Sequence, residues 1–199
     1  MDRELLKKKV CDAIDANRDK IYEIGRSIYS KPELGYKEVF ASETVKKTFD
    51  ELGLKYEDGL GITGVKAKLF EKADGPNIAI MGELDAVVCP DHPHADPVTG
   101  AAHCCGHFAQ TTVMLAAAMG FNAIKDELEG GNVTFLAVPA EEAWKMATEN
   151  GAKVLGFENL GKLEPGYLAD IVLWDMHKPY WYPRHNKLSL LVYAANAND

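Results

Sequence analysis

The sequence predicts an α/β domain with helices packed on a central sheet, followed by a short α+β tail. Helix-spaced apolar residues fill positions 1–52, short β-like runs then alternate with a loop and an apolar helix, and the composition changes at residue 142. In the first stretch Leu5, Leu6, Val10, Ile14, Ile21, Ile24 and Ile28 recur at roughly helical spacing, which predicts one long amphipathic helix over residues 2–30. Lys31-Pro32 ends it, because the residue before a proline is pushed out of helical backbone. A second helix is expected over residues 38–52, closed by Gly53. Residues 62–70 and 77–81 read as strands, the latter an Ile78-Ala79-Ile80-Met81 run typical of a buried strand. Pro93 and Pro97 make residues 91–100 a loop, residues 107–121 read as a buried helix, and residues 132–138 alternate as a strand until Pro139 stops it. Beyond Glu142 the expectation is a short helix over 143–155, a turn at Leu163-Glu164-Pro165-Gly166 and a strand over 169–174. Residues 188–195 fit either strand or helix.

Composition narrows the function. At 199 residues the chain holds one ordinary domain, or a partial one with an appendage, and not a large two-domain enzyme. With 22 Lys+Arg against 30 Asp+Glu and no basic stripe, nucleic acid is not an expected partner. The longest mostly apolar stretch, residues 113–121, is far short of the ~20 residues that span a bilayer. The basic N-terminus is not followed by an apolar run, so no secretory signal is expected and a cytoplasmic location is. All four cysteines precede Glu142 and all three tryptophans follow it; from Ala143 onward acidic and basic residues balance, so the first 142 residues carry the whole charge of −8. Two domains are therefore expected, 1–142 and 143–199.

Three groups of polar residues follow expected strands or loops, where α/β folds place their sites. Glu83 and Asp85 lie past the Ile78 strand, His103-Cys104-Cys105-Gly106-His107 opens a helix, and Glu141-Glu142 follow the last strand of the first domain. Cys, His and carboxylate are the side chains that bind Zn²⁺ and similar ions, and a catalytic site adds a carboxylate base. Adjacent glutamates point in different directions, so Glu142 can ligate an ion while Glu141 takes a proton from water. Gly106 permits a tight turn between Cys105 and His107. Singly, each has a structural alternative: solvated charge for Glu141-Glu142, a turn or cap for Glu83 and Asp85, a helix start for His103 and His107, a small buried hydrophobe for Cys105. Cys11 and Cys89 are assigned to packing, and His92 and His94 to an exposed loop.

At Gly82-Glu83-Leu84-Asp85-Ala86, His103-Cys104-Cys105-Gly106-His107 and Ala137-Val138-Pro139-Ala140-Glu141-Glu142, residues 1–142 resemble the metallopeptidase family of aminoacylases, carboxypeptidase G and aminobenzoyl-glutamate hydrolase. Pro32-Glu33-Leu34-Gly35 is similar to that family's early segment near the site. The resemblance implies a partial three-layer catalytic domain, Cys105, His107 and Glu142 as metal ligands, Glu141 as general base, and Asp85 orienting a ligand. It implies one or two divalent ions, zinc or manganese, and hydrolysis of an amide in N-acyl amino acids or small peptides. Phe108 stands where the family has Asn or Asp, and Glu83 replaces a metal-binding His, so Glu83 is left unassigned.

That family continues past its Glu-Glu pair with a lid domain and two more metal-binding histidines. Here residues 143–199 instead resemble the C-terminal end of urease-like, deaminase-related amidohydrolases, on Met146-Ala147-Thr148, Asn150-Gly151-Ala152-Lys153, Leu155-Gly156, Gly161-Lys162-Leu163-Glu164-Pro165-Gly166 and Ala169-Asp170-Ile171-Val172-Leu173. A fusion of two hydrolase fragments near Glu142 is the expectation, with His177 and His185 not taken as ligands. The function expected is a metal-dependent amide hydrolase acting on a small-molecule amide or peptide. The alternatives are a non-catalytic fusion remnant or binding module, and a fragment of a deaminase. A homo-oligomer is possible, since a sheet cut after its fourth strand exposes apolar surface.

Overall fold

A computed structural model describes residues 3–71 and 75–139, which fall in one compact unit, Met1–Pro139. The elements run α1 (Arg3–Ala16), α2 (Arg18–Tyr29), α3 (Val39–Glu51), β1 (Tyr56–Leu60), β2 (Gly64–Glu71), β3 (Asn77–Glu83), β4 (Val87–Val88), β5 (Ala101–Ala102), α4 (His107–Asn122), a 3-10 turn (Lys125–Glu127) and β6 (Asn132–Val138). The elements expected beyond residue 142, together with Glu141 and Glu142, lie outside the described residues.

Among the described residues the four-stranded sheet has the order β1-β2-β6-β3, so β6, the last of these strands in sequence, lies between β2 and β3. It pairs antiparallel with β2 (Val65 opposite Ala137, Ala67 opposite Phe135) and parallel with β3 (Ile80 opposite Phe135, Glu83 opposite Val138). The alternation in β6 is the physical signature of its role: Val133, Phe135 and Ala137 are buried, with Asn132, Thr134, Leu136 and Val138 between them on the other face. Against the buried face pack Ile24 and Ile28 of α2, Val45 and Phe49 of α3, and Met114, Leu115 and Ala118 of α4. Phe49 and Phe135 meet at 6.3 Å between ring centroids, and neither is exposed. Burying such a side chain contributes roughly 2–3 kcal/mol of transfer free energy. Sheet and helices are two of the three layers expected.

Three expectations are corrected. The single helix over 2–30 is two helices, because Asn17 turns its Nδ2 back onto the Ala13 carbonyl at 2.8 Å and leaves helical backbone at φ −98°, ψ 11°. A short amide side chain competes for helix carbonyls in this way, and the apolar periodicity on either side does not register it. The strand expected from residue 62 begins at Gly64, since Ile62 sits in the preceding turn at φ 83°. And β3 is not a fully buried strand: it lies at the edge of this sheet, with Ile78 48% and Met81 44% exposed, and only its end, Gly82 and Glu83, is buried. Neither β1 nor the short β4–β5 pair was expected; Tyr56-Glu57-Asp58-Gly59-Leu60 has no apolar alternation to announce a strand.

Candidate functional site

The described candidate residues gather where β3 and β6 end side by side, at the C-terminal edge of parallel strands. Glu83 is the last residue of β3, and Leu84 N–H donates to the Val138 carbonyl at 2.9 Å, holding the two strand ends together. The next loop is fixed from the other side: Ala86 N–H donates to the Glu33 carbonyl at 2.6 Å, and Leu34 bridges Ala86. The carboxylate of Glu33 accepts from Phe40 N–H at 2.9 Å and Ala41 N–H at 3.1 Å, capping the free N–H groups at the start of α3. The segment near Pro32 thus joins a helix start to the loop that carries Asp85.

Helix α4 delivers the imidazole. Gly106 adopts left-handed backbone at φ 89°, the tight turn the sequence called for, and His107 follows as the first helical residue. One turn later Thr111 Oγ1 donates to the Glu83 carbonyl at 2.6 Å. The approach is close because of Gly82: a Cβ there would lie 2.6 Å from Thr111 Cα and 2.8 Å from Thr111 N.

His107, 1% exposed, is held between two carboxylates. Its Nδ1 lies 2.8 Å from the Asp85 main-chain oxygen and 2.9 Å from Asp85 Oδ1, and its Nε2 lies 3.4 Å from Glu83 Oε2. A carbonyl oxygen only accepts, so Nδ1 carries the hydrogen and Nε2 of the neutral ring presents its lone pair toward Glu83. Burial alone would depress the His107 pKa, but the Asp85 hydrogen bond and the charges of Asp85 and Glu83 outweigh it and raise the value. The pocket therefore favours positive charge at Nε2, as a proton or as a bound cation. Two ligands at 2.0–2.1 Å from a tetrahedral ion are roughly 3.4 Å apart, so the Nε2–Oε2 spacing fits an ion between them. Anchoring of the other ring nitrogen by a carbonyl or carboxylate is the usual support of a ligating histidine.

The other expected residues divide. Asp85 and His107 are brought together. Cys105 is exposed, and its thiol is pushed up by desolvation of the sulfur and then by the charge of Asp85. Glu141 and Glu142 lie outside the described residues, and among those described no group of three His, Cys, Asp or Glu side chains is placed to hold a metal ion. Glu83, unassigned from the sequence, proves to be the carboxylate facing His107. Glu38 was also missed; it looked like a helix start and is fully buried. His103 is buried behind the site, its pKa lowered to about 4 by burial and by His107. Phe108, in place of a polar residue, packs edge-on against Tyr29 at 4.9 Å and stacks toward His103 at 5.7 Å. His94 is exposed and His92 half-buried in turns; of the cysteines assigned to packing, Cys89 is half-buried and Cys11 is exposed.

Residues 93–199, more than half the chain, match the amidohydrolase family. The chain belongs to the amidohydrolase family. The match takes in His103, Cys105 and His107 as well as the whole tail. Among curated relatives, a 5-methylthioadenosine/S-adenosylhomocysteine deaminase of Dictyoglomus thermophilum is 53% identical over 64 residues, covering 32% of this chain and 15% of that protein. IAA-amino acid hydrolase ILR1-like 5 of Arabidopsis thaliana is 35% identical over 122 residues, covering 60% of this chain and 28% of the relative. Among solved structures, a dinuclear metal-binding peptidase of the M20 family from Bacillus subtilis aligns with a TM-score of 0.57 at 31% identity, over 71% of this chain and 41% of that one. The chain thus resembles both kinds of hydrolase that the sequence suggested, and spans less than a third of these curated relatives. No helix of the described residues is long and apolar enough to cross a membrane.

Proposed function

We propose that this chain carries the metal-binding part of a hydrolase that cleaves amide bonds in N-acyl amino acids or small peptides, with zinc or manganese as the ion. One observation carries the reading: His107, tethered at Nδ1 by Asp85, aims Nε2 at Glu83 Oε2 from 3.4 Å. His107 and Glu83 would hold an ion, Cys105 and Glu142 would complete its ligands, and Asp85 would fix the imidazole. When bound, the ion supplies Lewis acidity to water and to the amide carbonyl. The side chains do the rest. Glu141 accepts the proton of the attacking water and returns it to the leaving amine, and the buried strand ends keep bulk water from His107. A domain boundary between residues 142 and 143 and a cytoplasmic location belong to the same proposal.

The test is calorimetric titration of metal-free protein with Zn²⁺ and Mn²⁺. Saturable binding is expected, lost in His107→Ala and weakened in Glu83→Gln. No binding, or binding indifferent to His107→Ala, removes the reading. Hydrolysis of N-acetyl amino acids, abolished by Glu141→Gln, would establish the catalytic half. A second reading, a non-catalytic binding module, is favoured by the lack of a three-ligand group among the described residues. Metal binding without turnover of any N-acyl amino acid would select it.

A further inference from the structure

The turn between β1 and β2, residues 59–64, takes no part in the mechanism above, yet the sheet carries it to the same edge. Val65 is level with Ala137 and Ala137 with Gly82, so the next row runs from Gly64 past Val138 to Glu83. Two inter-strand spacings, roughly 10 Å, therefore separate Gly64 from Glu83. The turn is locked in place. Thr63 Oγ1 donates to Glu38 Oε2 at 2.7 Å, and Ser42 Oγ donates to the Thr63 carbonyl at 2.7 Å. The segment that holds it is itself tied to the Asp85 loop, through the Ala86 N–H and the Glu33 carbonyl. Among the described residues the two non-glycine residues with positive φ, Tyr36 at 62° and Ile62 at 83°, both flank this clasp. For a β-branched residue that backbone is an outlier, kept only where the surroundings over-determine it. Asparagine or glycine would adopt it at less cost, so folding alone does not account for isoleucine at 62. The same clasp leaves aliphatic side chains in the open: Ile62 is 68% exposed, Val39 63% and Leu60 40%.

We propose that Ile62, with Leu60 and Val39 beside it, is a specificity-determining surface that receives the aliphatic acyl chain of an N-acyl amino acid whose amide lies at His107 and Glu83. The inference rests on the reading of that edge as a hydrolase site. Aliphatic side chains offer no donor or acceptor, so they recognise an alkyl chain and not a polar peptide. The distance across the sheet sets the length: a medium-length acyl chain reaches from the site to the turn, and an acetyl group does not. Each methylene that leaves water for this surface should strengthen binding roughly two- to fourfold.

Calorimetric titration of the full chain decides it, with Zn²⁺ present and N-acetylglycine, N-butanoylglycine and N-octanoylglycine as probes, in wild type and in Ile62→Asn. Wild-type affinity should rise at least about tenfold from the acetyl to the octanoyl compound. Ile62→Asn should keep the N-acetylglycine affinity and lose about five- to tenfold for N-octanoylglycine. Its urea unfolding midpoint should match or exceed that of wild type, because asparagine tolerates left-handed backbone; a lost gradient is then not a lost fold. Absence of binding, affinities indifferent to chain length in wild type, or the same gain with chain length in Ile62→Asn overturns the inference. A lower midpoint in Ile62→Asn overturns it too, by marking Ile62 as a packing residue. Hydrolysis separates the two readings. A wild-type gradient without turnover of any acylglycine leaves the surface standing and removes the hydrolase, whereas turnover with no gradient does the reverse.

Discussion

Replacing Gly82 by alanine tests how the site is assembled. Gly82 is the point where β3 touches α4, and the nearest atoms to a new Cβ are main chain: Thr111 Cα at 2.6 Å, Thr111 N at 2.8 Å and the Gln110 carbonyl carbon at 3.0 Å. No rotamer change relieves such a clash, so the helix itself must retreat. Restoring ordinary contact at 3.4 Å needs a shift of roughly 0.8 Å. That movement would stretch the Thr111 Oγ1 to Glu83 carbonyl bond, now 2.6 Å, beyond useful length, and would carry His107 away from Glu83. Overpacking costs about 1–3 kcal/mol and the lost hydrogen bond about 1 more. A total of roughly 2–4 kcal/mol should appear in urea unfolding followed by circular dichroism, as a lower midpoint with an unchanged slope. Zn²⁺ affinity should fall as well, because the change alters the spacing of Nε2 and Oε2. Thr111→Val is the comparator: it deletes the hydroxyl without moving the helix and should cost about 1–3 kcal/mol while leaving the spacing intact. A Gly82→Ala protein within about 0.5 kcal/mol of wild type, binding Zn²⁺ normally, would show that the two elements are not rigidly coupled and refute the argument.

Other outcomes follow from single contacts. Glu33→Ala removes the acceptor for Phe40 and Ala41 N–H and should cost about 1–2 kcal/mol in urea unfolding, with Glu33→Gln recovering part of it. His103 is neutral in the fold, its pKa pushed from 6.5 down to about 4, so its stabilising contribution is complete above pH 6.5 and is lost as pH falls toward 4. That gap is worth about 3 kcal/mol, and His103→Leu should flatten the decline of stability measured between those pH values. Glu38 has the opposite sign: its raised pKa favours the fold at low pH and costs stability as pH rises through the folded value from 4.5 upward. Glu38→Gln should therefore gain on wild type as pH increases, in paired denaturation curves at acidic and neutral pH. Phe135→Ala, at a residue with no exposed surface, should cost about 3–5 kcal/mol in the same assay.

Much of this was readable from residue order, and the exceptions share a cause. The strand at residues 132–138 and the helix opening at His107 were legible because local pattern decides them: Val133, Phe135 and Ala137 alternate with less buried neighbours, and Gly106 supplies the turn. The break at Asn17 was not, because it depends on one amide reaching a carbonyl four residues back while Ile14 and Ile21 keep the apolar rhythm. In the site, Asp85 and His107 were picked out by residue type and their meeting is seen. Glu83 was noted but left without a role and Glu38 was passed over, since what each does depends on partners far along the chain, His107 for one and Thr63 for the other. A carboxylate's neighbours in space set its protonation and its use, and the flanking letters carry little of that information. Glu141 and Glu142 remain expectations from motif alone.

The position of β6 also bears on how the molecule is made. Because this strand, the last of those described, slots between β2 and β3, β3 has no partner in this sheet and β2 is paired only with β1 until residue 138 has left the ribosome. Through most of synthesis Val65, Ala67, Leu69 and the start of β3 are uncovered, with open backbone edges that suit pairing with another nascent chain. Release of the finished sheet then depends on a single insertion that zips both sides at once, a non-local event of the kind that folds slowly. A chaperone that shelters the chain until that moment should raise the soluble yield more than any change to the helices.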